Sequence, residues 1–346
     1  HRGIADPDGV QREEGIDSMK KFINDPNNLA AELLEGLAMA YPQKVRLESE
    51  NLVCRATPKA ADKVALLTLG GAGHEPALQG WVGTGMLDVS VVGDIFAAPG
   101  PGKVLEAMQM LKRDAGTLLV TLNHSGDVMC AEMAKEMAEA EGITIEEILT
   151  TEEIRPSEDE EGRGLGGCLI ICKVAGAAAE RGMGLDEVYR IADKVNRNMG
   201  TIAVLSEIAT HPSTGDECGE MGDDEMEICA GQHGEGGGVR MDMKSAKDTA
   251  ELLSQRVIDR LGLSVGDEIL LIVNGSGKTT MMEMLITFRD AATYFGAKGI
   301  SVVRGETGEF LTVQEAAGYQ MIACKLDDEI KELWDAPCDT PFFTVA

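Results

Sequence analysis

The order of short apolar runs, glycine-rich turns and helical patterns constrains the fold of this chain more than any other feature. Residues 63–69 (KVALLTL), 87–93 (LDVSVVG) and 117–122 (TLLVTL) have the composition of buried parallel strands. The second and third runs lead through turns into helices that the sequence predicts at 102–113 and 128–141. This repetition of strand and helix predicts a parallel sheet with helices on both faces.

A similar order returns in the second half, and 346 residues suffice for two domains of ~100–200 residues each. Strands are predicted at 200–206, 267–273, 299–304 and around 319–324, and helices at 184–198, 244–261, 278–295 and 326–334. The intervening segment 207–238 is rich in Gly, Asp and Glu and is predicted to be a long functional loop. We therefore predict an α/β protein of two α/β domains, residues 19–183 and 184–346. Their sheets are expected to be mainly parallel or mixed and covered by helices, with the active site between the domains.

The first 18 residues have no apolar signal core and no starting Met. Met19 and the KKFINDP that follows it have the appearance of a natural start. We interpret residues 1–18 as an N-terminal extension or a remnant of expression that takes no part in the fold.

The charge balance excludes two classes of partner. The chain has 31 Lys and Arg residues against 59 Asp and Glu residues, a formal net charge of −28. Nucleic acids and anionic membrane surfaces both require basic patches, so neither is an expected partner. No apolar run approaches the roughly 20 residues of a membrane span.

The cysteines indicate a reducing compartment. There are eight, and only Cys168 and Cys172 lie close together, four residues apart on a predicted helix. Structural zinc sites use closer pairs such as C-x2-C, so we predict no metal bound by this chain. Scattered thiols of this kind are typical of a cytoplasmic protein.

Two glycine-rich turns resemble nucleotide-binding motifs without matching them. GGAGHEP at 70–76 follows a predicted strand, but Pro76 stands where the dinucleotide fingerprint has its third glycine, which argues against NAD or FAD. NGSGKTT at 274–280 has Ile272 where a phosphate-binding loop has its first glycine, so a plain strand-to-helix turn is favoured. The acidic run 222–227 lacks the spacing of a calcium loop and is interpreted as a solvated or hinge segment.

Two histidines lie in glycine-rich settings that favour a functional role. His74 belongs to GGAGHEP, and His233 is the reactive side chain of CAGQHGEGGG at 229–238. His124 and His211 are interpreted as structural. Asp127 follows a predicted strand, as His74 does, and a carboxylate beside an imidazole fixes its tautomer and raises its basicity. The pair is a candidate general base, and the alternative is that Asp127 only caps the following helix.

Several segments together resemble the ketone-binding subunit of dihydroxyacetone kinases, in the same order and over nearly all of residues 19–346. GGAGHEP and GQHGE are the most specific motifs of this resemblance. The segments are MKKFINDPNN (19–28), KVALLTLGGAGHEPALQGWVGTGML (63–87), GDIFAAPGPGKVLEAM (93–108), NHSGD (123–127), GAAAERG (176–182), DDEMEICAGQHGEGG (223–237) and LWDAPCDTPF (333–342).

The resemblance implies a role for each candidate residue. His233 is implied to bond covalently and reversibly to the carbonyl carbon of a small ketose as a hemiaminal. His74 is implied to act as general base on the terminal hydroxyl that attacks the γ-phosphate, and Asp127 to bind the substrate hydroxyl. Backbone groups of Gly71 and Gly73 are expected to cradle the substrate.

Two positions depart from the family pattern. Leu122 occupies the place of a lysine before the N-x-[ST]-G-D motif, and Ala72 the place of a serine in the glycine turn. Because the lysine would supply a polar contact to the substrate, its absence favours a different small ketose, and erythrulose is a candidate. A ketone-sensing transcriptional coactivator without kinase activity is the alternative function.

The resemblance also implies a partner. In this family the nucleotide and Mg²⁺ are bound by a separate all-helical domain, and we find no such domain in the sequence. We therefore expect a helical subunit that carries ATP, or ADP recharged by a phosphotransferase-system protein, and no cofactor bound by this chain itself. A homodimer is expected from the family alone. A third hypothesis, a free-standing P-loop ATPase, requires ATP binding by this chain alone and is disfavoured.

Overall fold

The computed structural model describes residues 21–157, 159–231 and 237–346. The first sheet contains β1 (Val45–Ser49), β2 (Leu52–Arg55), β3 (Ala65–Ala72), β4 (Val89–Ile95), β5 (Thr117–Leu122) and β6 (Ile145–Thr150). The second contains β7 (Met199–Glu207), β8 (Glu225–Ile228), β9 (Val239–Asp242), β10 (Glu268–Gly275), β11 (Ser301–Gly308) and β12 (Ala317–Lys325). A small ribbon pairs β13 (Cys338–Asp339) with β14 (Thr344–Val345).

Eight α-helices accompany the sheets in the described ranges. They are α1 (Leu29–Ala40), α2 (Pro101–Met110), α3 (Ser125–Ala140), α4 (Cys168–Glu180), α5 (Leu185–Arg197), α6 (Ala246–Leu261), α7 (Met281–Ala297) and α8 (Asp328–Trp334). The predicted α/β class with two helix-covered sheets is confirmed.

The first sheet has the strand order β1-β2-β4-β3-β5-β6. The pairs β3–β4, β3–β5 and β5–β6 are parallel, as the apolar runs predict. An antiparallel β1–β2 hairpin extends the β4 edge and makes the sheet mixed. Because β3, β4 and β5 run in the same direction side by side, the turns that follow them meet at one edge of the sheet.

The second sheet has the order β11-β10-β12-β7-β8-β9, and only the β10–β11 pair is parallel. The prediction of an unbroken loop over 207–238 is wrong at Glu225–Ile228, which forms β8 between β7 and β9. A four-residue strand is too short to show a periodic pattern, and its place in the sheet depends on pairing with distant segments.

Helix α4 lies between the two sheets. All of its residues from Cys168 to Ala179 are buried, and its apolar side chains share one hydrophobic core with Leu66 of β3 and with Ile272 and Ile322 of the second sheet. Helices α2 and α3 cover the opposite face of the first sheet, and α6 and α7 the opposite face of the second. Helix α5 packs against β5 and β6, so it contacts the first sheet although it follows the predicted boundary near Gly184. That boundary stays a prediction.

The Glu152 carboxyl is buried where the two sheets meet. It accepts a hydrogen bond from the Leu165 N–H at 2.8 Å, and the Glu152 carbonyl accepts one from Thr201 N–H at 2.9 Å. Burial raises the pKa of the Glu152 carboxyl to about 8. The folded protein therefore holds this proton over a pH range in which the unfolded chain releases it.

We expect this carboxyl to make the free energy of unfolding fall as pH rises from the unfolded pKa near 4.5 towards 8. The slope from this one group is about 1.4 kcal/mol per pH unit, because the folded state binds one proton more than the unfolded state. Urea unfolding of wild type and Glu152→Gln between pH 5 and 8 measures the difference. A variant whose stability falls as steeply as that of wild type contradicts the assignment to Glu152.

Candidate functional site

A small cavity lies at the edge where β3, β4 and β5 end. Its volume is about 40 Å³, and His74, Phe96, Leu122, His124 and Asp127 line it. The remaining lining residues are apolar or glycine: Leu69, Gly70, Gly71, Ala77, Leu78, Ala97, Ala98 and Leu311. The structure thus brings together two sites predicted from separate motifs, His74 of GGAGHEP and Asp127 of NHSGD. Leu311 belongs to the segment after β11, so the second half of the chain also contributes to this cavity.

The glycine turn after β3 packs directly against the turn after β4. A Cβ atom on Gly71 would lie 2.6 Å from the Ala97 nitrogen, and one on Gly73 would lie 2.7 Å from the Phe96 ring. Gly73 also has φ +103, which disfavours any side chain. These two glycines therefore allow the two turns to approach closely enough to form the cavity.

We expect Gly71→Ala to lower the free energy of unfolding by about 1–3 kcal/mol, because backbone atoms of Ala97 must move to admit the methyl group. Urea denaturation measures the change. Gly36→Ala is the matched control, since a Cβ there meets nothing within 4 Å. In the middle of helix α1 this substitution is expected to stabilise the protein by up to about 1 kcal/mol. Equal effects of the two substitutions would contradict the steric argument.

The ring of His74 is held in one tautomer by a carbonyl group. Its Nδ1 lies 2.8 Å from the Thr312 oxygen. A carbonyl only accepts hydrogen bonds, so Nδ1–H is the donor and Nε2 of the neutral ring carries the lone pair. The Phe96 ring packs against the imidazole with centroids 5.1 Å apart. A neutral imidazole oriented in this way is suited to accept a proton through Nε2.

The segment that supplies this carbonyl is bound to the glycine turn at several points. Thr312 N–H donates to the His74 oxygen at 3.1 Å, and the Thr312 hydroxyl donates to the Glu75 oxygen at 2.9 Å. Gln314 N–H donates to the Gly73 oxygen at 3.2 Å. These bonds join residues 73–75 to residues 312–314, so the position of His74 depends on the second half of the chain.

Asn274, near the end of β10, holds the same segment by hydrogen bonds to the two residues that precede Thr312. Its buried amide donates to the Leu311 oxygen at 2.7 Å and accepts from Phe310 N–H at 2.8 Å and Leu311 N–H at 3.1 Å. Sequence reasoning missed both Asn274 and Thr312. The available indication of a role for Asn274 was that this polar residue comes directly after the apolar run of a buried strand.

The rest of NGSGKTT forms the strand-to-helix turn favoured by the sequence. Ser276 N–H donates to the Gly318 oxygen at 3.0 Å, and Lys278 N–H donates to the Ala316 oxygen at 3.1 Å. Thr280 and Glu283 form a capping box at the start of α7. Two backbone donors of the turn are therefore engaged within the chain, unlike the open cradle of a phosphate-binding loop.

Helix α3 places Asp127 and His124 at the cavity. Asp127 lies in the first turn of the helix and His124 at its N-cap position, where the His124 side chain forms no capping hydrogen bond. His124 Nε2 donates to the Gly164 oxygen at 2.9 Å. The sequence interpretation of His124 as only structural did not anticipate that this ring lines the cavity with His74. The available indication that His124 lies at the cavity was its position three residues before Asp127 in the sequence.

The two departures from the family pattern differ in position. Leu122 lines the cavity and is 6% exposed, whereas Ala72 is fully buried in the core beneath the turn. Glu75 lies on the other side of the turn, where its carboxylate accepts from Gly73 N–H at 2.9 Å and burial raises its pKa. The cavity wall at Leu122 is therefore apolar, at the position where the family resemblance leads us to expect a lysine.

His233 and the other residues of 232–236 lie outside the described part of the chain. Cys229, just before them, receives a hydrogen bond on its carbonyl from Arg163 at 3.4 Å. Arg163 and Arg155 both form ion pairs with Glu153, whose side chain is fully buried. After the gap, a Cβ on Gly237 would lie 2.9 Å from the Arg155 guanidinium. The ends of the His233 segment are thus close to one buried ionic cluster.

Among the described residues, no group of three or more His, Cys, Asp and Glu side chains is arranged to hold a metal ion. No helix in those ranges is both long enough and apolar enough to cross a membrane.

Comparison with known proteins identifies similar chains over almost the whole length. The Dak1 domain family matches residues 35–342. The PTS-dependent dihydroxyacetone kinase 1, dihydroxyacetone-binding subunit DhaK, of Listeria innocua is 35% identical over 90% of this chain and 95% of its own length. A D-erythrulose kinase of Mycolicibacterium smegmatis is 31% identical over 94% of this chain but only 56% of its own length. Among solved structures, a dihydroxyacetone kinase operon co-activator, Dha-DhaQ, superposes with TM-score 0.86 at 25% identity, covering 90% of this chain and 97% of that one.

Proposed function

We propose, from the premise that this chain belongs to the Dak1 domain family, that it is the substrate-binding subunit of a ketose kinase of the dihydroxyacetone type. The subunit captures a small ketose and presents its terminal hydroxyl for phosphorylation. The observation that carries this proposal is the tautomer of His74. Its Nδ1–H bond to the Thr312 oxygen leaves Nε2 as the lone-pair nitrogen of a ring that lines the cavity.

Capture of the ketose is assigned to His233. The lone-pair nitrogen of the neutral imidazole adds to the carbonyl carbon as the C=O π bond breaks; the other ring nitrogen releases its proton and the former carbonyl oxygen takes one up, which gives a neutral hemiaminal. A histidine with an ordinary pKa near 6.5 is mostly neutral at pH 7 and is able to react in this way. Covalent capture selects ketones over polyols such as glycerol, which have no electrophilic carbon. Gly71 and Gly73 supply backbone groups around the substrate, and Asp127 binds its hydroxyl.

Phosphoryl transfer is assigned to the terminal hydroxyl of the captured ketose. His74 Nε2 takes the hydroxyl proton as the oxygen attacks the γ-phosphorus, and the nucleoside diphosphate leaves. Catalysis of this reaction consists mainly of positioning and charge stabilisation. This chain supplies the substrate position and the base. A partner subunit would hold ATP with Mg²⁺, or ADP that a phosphotransferase-system protein recharges to ATP; the ATP would supply the phosphoryl group and the Mg²⁺ would neutralise its charge.

The partner is proposed to be a helical nucleotide-binding subunit. The relative from Mycolicibacterium smegmatis is named as a whole kinase, and this chain spans 56% of its length. The relative from Listeria innocua is named as a binding subunit, and this chain spans 95% of it. The printed name of the Listeria innocua relative, a dihydroxyacetone-binding subunit of a PTS-dependent kinase, supports a division of the kinase between chains, with a phosphotransferase-system protein as a candidate phosphoryl donor. A cytoplasmic homodimer remains part of the proposal.

Covalent capture is tested by intact-protein mass spectrometry after incubation with dihydroxyacetone or erythrulose, under mild conditions that preserve the reversible adduct. We expect a ketose-sized mass increase in wild type that maps to His233 and disappears in His233→Ala. His211→Ala is the matched control and is expected to retain the adduct. An adduct that persists in His233→Ala would disprove the assignment, and the ketose that gives the higher yield identifies the preferred substrate.

A ketone-sensing coactivator is the second candidate function, because the co-activator structure superposes with TM-score 0.86, the same value as a dihydroxyacetone kinase of C. freundii, so the fold fits both functions. Leu122 lines the cavity at the position where the family resemblance implies a lysine. This difference also favours divergence from the kinases. Addition of a helical kinase subunit from a relative with ATP distinguishes the two functions. Phosphorylation of either ketose supports the kinase, whereas retained adduct formation without turnover favours the sensor.

A further inference from the structure

A second cavity, of about 140 Å³, lies at the edge of the first sheet opposite to the cavity of His74 and Asp127. Strand β4 begins at this second cavity with Val89 and ends at Ile95, just before the turn that lines the His74 cavity. At ~3.3 Å per residue, the length of the strand separates the two cavities by roughly 20 Å. No residue lines both of them.

The lining of the second cavity is strongly cationic. Four of its side chains are basic and only one is a carboxylate, and the remaining lining residues are uncharged. The basic residues are Arg46, Arg55, Lys59 and Arg113, and the carboxylate is that of Asp88. This balance contrasts with the whole chain, whose formal net charge is −28.

The single carboxylate of the lining is already engaged. Asp88 Oδ1 accepts from the Arg55 guanidinium at 3.0 Å, and Oδ2 accepts from Lys59 Nζ at 2.7 Å and from Leu66 N–H at 2.8 Å. Arg55, Lys59 and Asp88 are all buried. One negative charge therefore serves two buried cations and leaves none for Arg113 or Arg46.

Carboxylates outside the cavity reduce the positive charge but do not cancel it. Glu48 pairs with Arg46, and Glu180 pairs with Arg55 at 2.6 Å and with Lys63 at 3.8 Å. When Glu48, Glu180 and Lys63 are included, the group contains five basic side chains and three carboxylates. The excess is two positive charges.

The guanidinium groups also have too few acceptors within the protein. In the described ranges Arg113 donates to carbonyl oxygens and to no carboxylate: its Nε donates to Leu111 at 3.1 Å and its Nη1 to Lys63 at 3.2 Å and Ala60 at 3.4 Å. Arg55 Nε is buried without a hydrogen-bond partner. Buried donors are normally satisfied, so this shortage of acceptors is an independent indication of an anion site.

We propose that this cavity binds a small phosphate dianion, either inorganic phosphate or a short phosphate monoester. Its two negative charges match the excess of two positive charges, and the planar guanidinium groups of Arg46 and Arg113 suit bidentate contacts to phosphate oxygens. A volume of 140 Å³ admits an anion of this size and is below the ~300 Å³ at which pockets for larger ligands begin. The proposal does not depend on the kinase function.

Isothermal titration calorimetry at pH 8 tests the proposal with inorganic phosphate and with methyl phosphate. Wild type is expected to bind one equivalent of phosphate saturably, and to bind acetate, a monoanion, at least about tenfold more weakly at equal ionic strength. Binding of inorganic phosphate alone would identify free phosphate as the ligand. Binding of methyl phosphate as well would identify the phosphate monoester group as sufficient.

Arg113→Gln is expected to weaken phosphate binding by at least about tenfold, because charge-assisted contacts to the anion are lost. Arg46→Gln, at a side chain that is 41% exposed, is the second variant if Arg113→Gln folds poorly, and is expected to weaken binding roughly fivefold. The matched control is Lys112→Gln, which removes the same charge from the neighbouring exposed residue that does not line the cavity. It is expected to leave the affinity within about twofold.

Three results would overturn the proposal. One is the absence of saturable phosphate binding by wild type. Another is equal weakening by Arg113→Gln and Lys112→Gln, which would indicate a general effect of net charge. The third is binding of acetate as tight as that of phosphate, which would contradict the match to two charges.

Discussion

Replacement of His74 by asparagine is expected to lower kcat by about 10²–10⁴-fold, the usual contribution of a positioned general base. Asparagine keeps a side chain of similar size that donates to the Thr312 oxygen, but it has no nitrogen able to accept a proton. Because capture is assigned to His233, the covalent adduct with the ketose is expected to persist in this variant. Steady-state kinetics with a helical kinase subunit and ATP measure kcat, and mass spectrometry measures the adduct.

The control for this variant is His211→Asn. The His211 ring makes an edge contact with Phe96, at 5.5 Å between centroids, but His211 does not line the cavity. It is expected to change kcat less than about threefold. A His74→Asn variant that retains wild-type kcat would exclude His74 as the base. Loss of the adduct in His74→Asn would instead show that this ring takes part in capture.

Replacement of Asn274 by alanine is expected to have the largest effect on stability. It leaves three buried backbone groups without partners, namely the Leu311 oxygen and the N–H groups of Phe310 and Leu311. At about 1–3 kcal/mol for each group, the free energy of unfolding should fall by roughly 3–9 kcal/mol. Urea denaturation measures the loss, and Asn51→Ala is the control. Asn51 donates one hydrogen bond, to the Val92 oxygen at 2.9 Å, and is expected to cost about 1 kcal/mol.

The same substitution tests whether Asn274 is a positioning residue. It holds the segment 310–312, which supplies the carbonyl bonded to His74. In folded Asn274→Ala, well below the unfolding transition, kcat is expected to fall at least about tenfold, since small displacements of a catalytic group are costly. The KM for the ketose should change less. A destabilised variant with unchanged kcat would show that the role of Asn274 is structural only.

The strands that place the site could be predicted because each carries its own pattern. The apolar runs of β3, β4 and β5 are continuous, as expected for strands buried on both faces, and the observed strands overlap all three predicted runs. The hairpin β1–β2 and the short strands β8 and β9 were not predicted. Those strands depend on pairing with segments far away, which no local pattern records.

The sequence by itself determined the α/β class, the strands β3, β4 and β5, and the placement of His74 and Asp127 shortly after two of them. Apolar periodicity and glycine turns are properties of short segments, so they can be recognised from the amino-acid sequence alone. Only the tertiary structure decided which nitrogen of His74 carries the lone pair, because the deciding carbonyl belongs to Thr312, 238 residues later. It also decided that His124 and Leu122 line the same cavity as His74. Hydrogen bonds and contacts between distant segments form only when the two halves of the chain pack together, and those interactions orient the candidate base.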